Sequence, residues 1–175
     1  PSAWLGPWDL RVGTSAMLVA TARGMRVPHP DGVVSWVDAR DVATALVRLA
    51  KQASPPKRII VSAGQTSMHA FLCDAARRYR VLPPPAALSS AEAEALADAQ
   101  EAHALQHGGR AALSRELVDL IVHGVELDNA LAVESLSMSF RAINDTLDAF
   151  DVWARRMHII PPIHHSQSEP EEQHP

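Results

Sequence analysis

Apolar positions fall into short runs near the start of the chain and into helical spacings further on. Residues 2–5 (Ser-Ala-Trp-Leu) form a short apolar stretch that Gly6-Pro7 ends, so they read as the tail of a strand. From Thr14 to Arg23, Met17, Leu18 and Ala22 share one side of a helix, with Gly24 placed to stop it. Val33 to Val37 has a strand pattern. Asp38 or Asp41 can cap the helix that follows to about Lys51, with Val42, Ala45, Leu46 and Leu49 on one face. Past the Pro55-Pro56 turn, the β-branched run from Arg58 to Ser62 predicts a buried strand. Ser67 then caps a helix through Tyr79 whose inner face includes Phe71, Leu72 and Ala75.

After Pro83-Pro84-Pro85 the periodicity is helical only. Ser89 and Glu92 have capping-box spacing and open an alanine-rich helix to about Gln106, which Gly108-Gly109 breaks. Leu113, Leu117, Leu120 and Ile121 line one side of the next helix. A short helix and turn occupy Asn129 to Phe140, and a last helix runs from about Asn144 to Met157. Residues 161–175 are rich in Pro, His, Glu and Ser without apolar periodicity, which predicts a disordered tail. The order is strand, helix, strand, helix, strand, helix, then helices alone. That pattern predicts an α/β domain over 1–160 with few strands and a mostly helical second part.

Composition narrows the function classes. A net charge of −4 gives no basic surplus for nucleic acid or an anionic membrane. No apolar run is long enough to span a bilayer. Cys73 is the single cysteine, so an internal disulfide is impossible, a cysteine-rich zinc site is disfavoured, and a cytoplasmic setting is expected.

Several stretches, in order, match a family pattern. Pro1-Ser2-Ala3-Trp4-Leu5-Gly6-Pro7-Trp8-Asp9 resembles the segment after the sixth Rossmann strand of the extended short-chain dehydrogenase/reductases, also known as NAD-dependent epimerase/dehydratases. Val37-Asp38-Ala39-Arg40-Asp41-Val42-Ala43 resembles their strand-to-helix junction. Arg58 to Gly64 with Ser67 resembles the last sheet strand and its helix. Asn129-Ala130-Leu131-Ala132, Leu136, Ser139-Phe140-Arg141 and Asp145-Thr146-Leu147 resemble the closing region. Ser137 departs from the pattern, where the family usually has glycine.

The resemblance implies the C-terminal, substrate-side part of a Rossmann-type fold and a family that uses NAD or NADP. Pro1, Ser2 and Ala3 would face the cofactor, and Trp4, Leu5 and Trp8 would lie near the substrate. Plain core packing is the competing reading of Trp4 and Leu5. Gly32-Val33-Val34-Ser35-Trp36 lacks the arginine that sugar-nucleotide epimerases often carry there. This leans toward an apolar carbonyl or hydroxyl substrate, as in the dihydroflavonol-reductase-like and sterol-dehydrogenase-like branches.

The family's chemical motifs have no counterpart. Gly108-Gly109 follows a helix rather than a strand, so it is not a dinucleotide turn. Tyr79 is the single tyrosine, and Pro83 stands where its partner lysine would be. No catalytic residue is therefore assigned, and cofactor binding by this chain alone is not expected. Asp38 and Asp41 read as capping residues, with Arg40 a surface partner of small value. His103 and His107 share a helix face, yet zinc needs further ligands, so they read as solvated side chains. The expected partners are a small-molecule substrate and either a missing N-terminal Rossmann half or a second copy of the chain. A non-catalytic binding module and an inactive fragment are the alternatives.

Overall fold

In a computed structural model, residues 2–9 and 13–161 are described. Ten elements follow in order: β1 (Ala3–Leu5), α1 (Thr14–Ala22), β2 (Val33–Asp38), α2 (Ala39–Ala50), β3 (Gly64–Ser67), α3 (Met68–Tyr79), α4 (Ser90–His107), α5 (Arg115–His123), α6 (Ala130–Leu136) and α7 (Ile143–Arg156). The strands form one sheet in the order β1-β2-β3. β1 runs parallel to β2, with Trp4 opposite Val37 and Leu5 opposite Asp38. β3 runs antiparallel to β2, with Gly64 opposite Trp36. Pro1 and the tail residues 162–175 lie outside the described residues.

Alternation along β1 separates two cores, because neighbouring strand residues face opposite sides of the sheet. Leu5 is enclosed on one face with Leu18 of α1, Phe71 and Leu72 of α3, and Phe150 of α7. Trp4 packs on the other face against the cluster of Val37, Val42, Ala45 and Leu136. A third, smaller cluster joins α4 to α5 through Ala93, Ala97, Leu113 and Val118. The fold is thus α/β, with a small sheet and a helical remainder.

The predicted helices form close to their expected bounds, and the caps explain why. The Ser67 hydroxyl accepts from Ala70 N–H at the start of α3. Ser89 and Glu92 make both bonds of a capping box at the start of α4. Three expectations are corrected. Residues 58–62 are not a strand, although Val61 and Ser62 are buried. The segment makes isolated backbone bonds, Ser2 N–H to the Val61 carbonyl and Ala63 N–H to the Trp36 carbonyl. Asn129 Nδ2 donates to the Ser62 carbonyl at 2.8 Å, and regular pairing begins only at Gly64. On α5, Val118 and Ile121 face inward and Leu120 is exposed. On α2, Leu46 points to solvent while Val42 and Ala45 pack.

Gly32 fixes the approach of the chain to α5. A Cβ placed there would lie 2.0 Å from the Ile121 carbonyl oxygen, and its φ of +152° suits glycine. The Gly32 carbonyl accepts from Met68 N–H, so this close passage also sets the start of α3.

Candidate functional site

The segment leaving β1 forms the wall of an open depression. Gly6, with φ +127°, turns the chain above the Asp38 carboxylate and delivers Pro7 and Trp8 to the surface. Trp8 is 77% exposed and its ring lies 5.7 Å from that of Trp153, tilted by 46°. Together with Asp148, Ala149, Val152 and Arg156 of α7, they line a depression of about 490 Å³. Aromatic walls with one acid and one base at the rim suit a mostly apolar ligand carrying a polar group.

The sequence placed Trp4, Leu5 and Trp8 near a ligand, and the structure does not bring the three together. Leu5 is fully enclosed among core side chains. Trp4 packs against the cluster on the opposite face of the sheet. Trp8 alone lines the depression. Of the proposed cofactor-facing residues, Ser2 and Ala3 are half-buried at the start of β1. Trp153, Val152 and Arg156 escaped sequence reasoning because α7 lies more than a hundred residues downstream. Nothing local in its periodicity marks which side would meet Trp8.

Beneath this wall lies an acidic junction. Asp38 is fully buried and caps α2 by accepting from Arg40 N–H at 2.7 Å. The same carboxylate accepts from Arg40 Nε and Nη2 at 2.9 and 2.6 Å, and from Thr146 Oγ1 of α7 at 2.8 Å. Burial raises its pKa, but the Arg40 and Thr146 hydrogen bonds outweigh burial and hold the carboxyl below its ordinary value. The pair is therefore not the surface contact the sequence suggested, since its acid has no solvent exposure. Asp41, also buried, accepts from Arg141 N–H at 2.9 Å and pairs with the Arg141 guanidinium. Both acids are architectural: Asp38 accepts four hydrogen bonds and Asp41 two, from groups that tie separate stretches of the chain together.

Tyr79 ends α3. Its Oη donates to Asp151 Oδ1 of α7 at 2.7 Å. Burial first, and then the Asp151 carboxylate, push its pKa far above the ordinary phenol range. A tyrosine held this way fastens two helices and does not ionise near neutrality. His103 and His107 are exposed on α4 with stacked rings 4.3 Å apart, and among the described residues no group of three side chains is arranged for a metal. No helix among them is long and apolar enough to cross a membrane.

No protein-family model and no curated protein matches this chain. Solved structures do. A nucleoside-diphosphate-sugar epimerase from Pseudomonas aeruginosa superposes with TM-score 0.70 at 21% identity, over 92% of this chain and 48% of that one. The chain shares a partial Rossmann-type α/β fold with it. The Bordetella bronchiseptica enzyme WbmG, solved with NAD and UDP, superposes with TM-score 0.59 at 13% identity, over 91% of this chain and 44% of that one. Yeast methylglyoxal/isovaleraldehyde reductase, solved with NADPH, does so with TM-score 0.53 at 17% identity, over 89% and 45%. The chain thus spans about half the length of these proteins. The depression beside Trp8 follows directly on β1, in the stretch whose sequence resembles the segment after the sixth Rossmann strand.

Proposed function

We propose that this chain is the substrate-side portion of an NAD(P)-dependent oxidoreductase- or epimerase-like protein. In this reading its ligand is a small, mainly apolar carbonyl or hydroxyl compound, held against Trp8 and Trp153. The nucleotide-binding half comes from elsewhere, and Pro1, Ser2 and Ala3 face the cofactor only once that half is in place. The observation that carries the reading is the coverage: nearly all of this chain corresponds to about half of each solved relative. Sheet order supports it, since β1 is the terminal strand among the described residues, where further Rossmann strands would continue the sheet.

A dinucleotide rests on backbone N–H groups at a glycine-rich strand-to-helix turn. Among the described residues, β1 and β2 lead instead into Gly6-Pro7 and into a helix start occupied by the Asp38 side chain. Calorimetric titration of the isolated chain with NAD and NADPH is therefore expected to show no binding, and micromolar affinity would refute the half-protein reading. Ligand placement is tested separately. A small aryl ketone such as acetophenone should shift the indole N–H signals of Trp8 and Trp153 in NMR spectra and leave that of Trp36 in place. Shifts confined to other residues would remove Trp8 from the site.

A further inference from the structure

The face of α3 that carries His69 holds a second polar arrangement, one that uses no residue of the Trp8 depression. His69 and Cys73 are four residues apart on α3, which puts them on one face. The Cys73 thiol lies 3.5 Å from His69 Nε2. The other ring nitrogen of His69, Nδ1, lies 3.0 Å from Nε2 of His29, and the two rings stack with centroids 5.2 Å apart. His29 is fully buried, and its Nδ1 lies 3.1 Å from the Val27 carbonyl oxygen.

One proton arrangement satisfies all three contacts. A carbonyl only accepts, so His29 Nδ1 carries a hydrogen. Burial lowers the pKa of His29, the Val27 carbonyl opposes this, and neighbouring His69 lowers it further, so His29 stays neutral with a bare Nε2. That nitrogen must then accept from His69 Nδ1–H. His69 is left with its Nε2 lone pair aimed at the thiol. The arrangement is a nucleophile, a base and a group that orients the base.

Backbone bonds hold His29 in place. Leu88 N–H donates to the His29 carbonyl at 2.9 Å and Asp31 N–H donates to the Leu88 carbonyl at 3.1 Å, on either side of Pro30. Met68 N–H, next to His69, donates to the Gly32 carbonyl at 3.0 Å. The loop carrying one histidine is therefore tied to the helix carrying the other. Exposure is graded along the series: His29 is sealed, whereas His69 and Cys73 are only half-buried. Cys73 keeps partial exposure to solvent, whereas the orienting ring has none.

We propose that Cys73 is a nucleophilic thiol that forms mixed disulfides with small disulfide compounds, with His69 as its base and His29 positioning that base. The Cys73 proton passes to His69 Nε2, and the Sγ electron pair attacks one sulfur of R–S–S–R. A new Sγ–S bond forms and the old S–S bond breaks. The departing R–S⁻ takes the proton from His69 and leaves as R–SH. Cys73 is oxidised to the mixed disulfide while the other half of the reagent is reduced to a thiol. Acceptance of the His69 Nδ1 hydrogen by His29 is what holds the proton on His69 during the step.

Because Cys73 is the single cysteine, the test is clean. The full chain is treated with dithiobis(nitrobenzoate) at neutral pH, and the release of nitrothiobenzoate is timed in the native state and in urea. Native Cys73 is expected to react about tenfold faster than the same thiol in the unfolded chain. His69→Gln should fall to about the unfolded rate, and His29→Gln to a value between. Native reaction no faster than unfolded overturns the proposal, as does a folded His69→Gln chain that reacts as fast as the parent. Should His69→Gln fail to fold, the native pH–rate profile decides. An inflection clearly below the free-thiol value of about 8.5 supports the pair, and one at or above it overturns it. Incubation with glutathione disulfide should add one glutathione at Cys73 by mass spectrometry, and no adduct would count against the proposal.

Discussion

The acidic junction at Asp38 and the histidine pair at His29 and His69 are both buried polar networks, yet they end differently. At Asp38 every bond ends on one buried carboxylate, from the α2 backbone, Arg40 and Thr146. At His29 the contacts run in series, from the Val27 carbonyl through one buried and one partly buried ring to the thiol of the partly exposed Cys73. A saturated carboxylate has no lone pair left for a ligand, so it joins elements and does no chemistry. A directional chain leaves a basic lone pair beside a reactive group. Inward closure marks architecture, and an open end marks reactivity.

Substitution should separate the two most sharply. Asp38→Ala removes the α2 cap and leaves Arg40 and Thr146 without their shared acceptor, so it should destabilise the fold by about 3 kcal/mol. Urea denaturation followed by circular dichroism measures this. In the same variant, under conditions where it stays folded, the reactivity of Cys73 should be unchanged. His69→Gln should do the reverse: little loss of stability and a large loss of thiol reactivity. A stable Asp38→Ala chain, or one that loses the thiol chemistry while folded, would break the distinction.

Acidification should separate them next, in two windows. His29 binds its proton less readily folded than unfolded, so lowering the pH through its ordinary value of 6.5 favours the unfolded chain. Asp31 attracts that proton and His69 repels it, with burial the largest influence. Asp38 has the opposite charge type: its folded pKa lies below the ordinary 3.8, so its stabilisation is complete above that value and fades as pH falls through the lower one. Urea midpoints measured downward from neutral pH should therefore fall once below about 6.5 and again below about 4. His29→Gln should remove the first decline and Asp38→Asn should flatten the second. A single decline unaffected by either variant would show that neither group titrates as described.

A smaller effect is expected where α3 meets α7. Tyr79→Phe removes one hydrogen bond to Asp151, which keeps Arg78 at 3.6 Å. The expected loss is about 1 kcal/mol in urea denaturation. A loss several times larger would mean that Asp151 relies on the phenol for its burial and belongs with the closed networks.

These networks also show what the sequence could and could not reveal. Helix starts were legible because their signals are local: Ser67, Ser89 with Glu92, and Asp38 each act within three residues of themselves. The partial Rossmann pattern was legible because strand and helix follow one another in a fixed order. The strand expected at 58–62 was displaced to 64–67 because pairing depends on a partner, and Asn129, far along the chain, takes up the Ser62 carbonyl. The depression beside Trp8 depends on α7 in the same way. His69 and Cys73 carried a readable cue in their four-residue spacing. His29 comes from forty residues upstream, and only the backbone ties around Pro30 and Gly32 bring it to them.

The smallest predicted effect concerns Ser137, the position where the family pattern carries glycine. It ends α6 in a left-handed conformation with φ of 50°, which a serine side chain disfavours. The turn persists because it is pinned from outside: Arg48 Nη1 donates to the Leu136 and Ser137 carbonyls at 2.7 and 2.6 Å, and Gln52 Nε2 donates to the Ser135 carbonyl at 2.8 Å. Ser137→Gly relieves the strain, while the greater freedom of glycine in the unfolded chain offsets part of the gain. The net stabilisation should be about 0.5 kcal/mol, read as a small rise in the urea midpoint. With Arg48→Ala in the background the gain should grow, since the turn must then hold itself. Equal gains in both backgrounds would mean that Arg48 does not sustain the turn, and that this closed network is less closed than its hydrogen bonds imply.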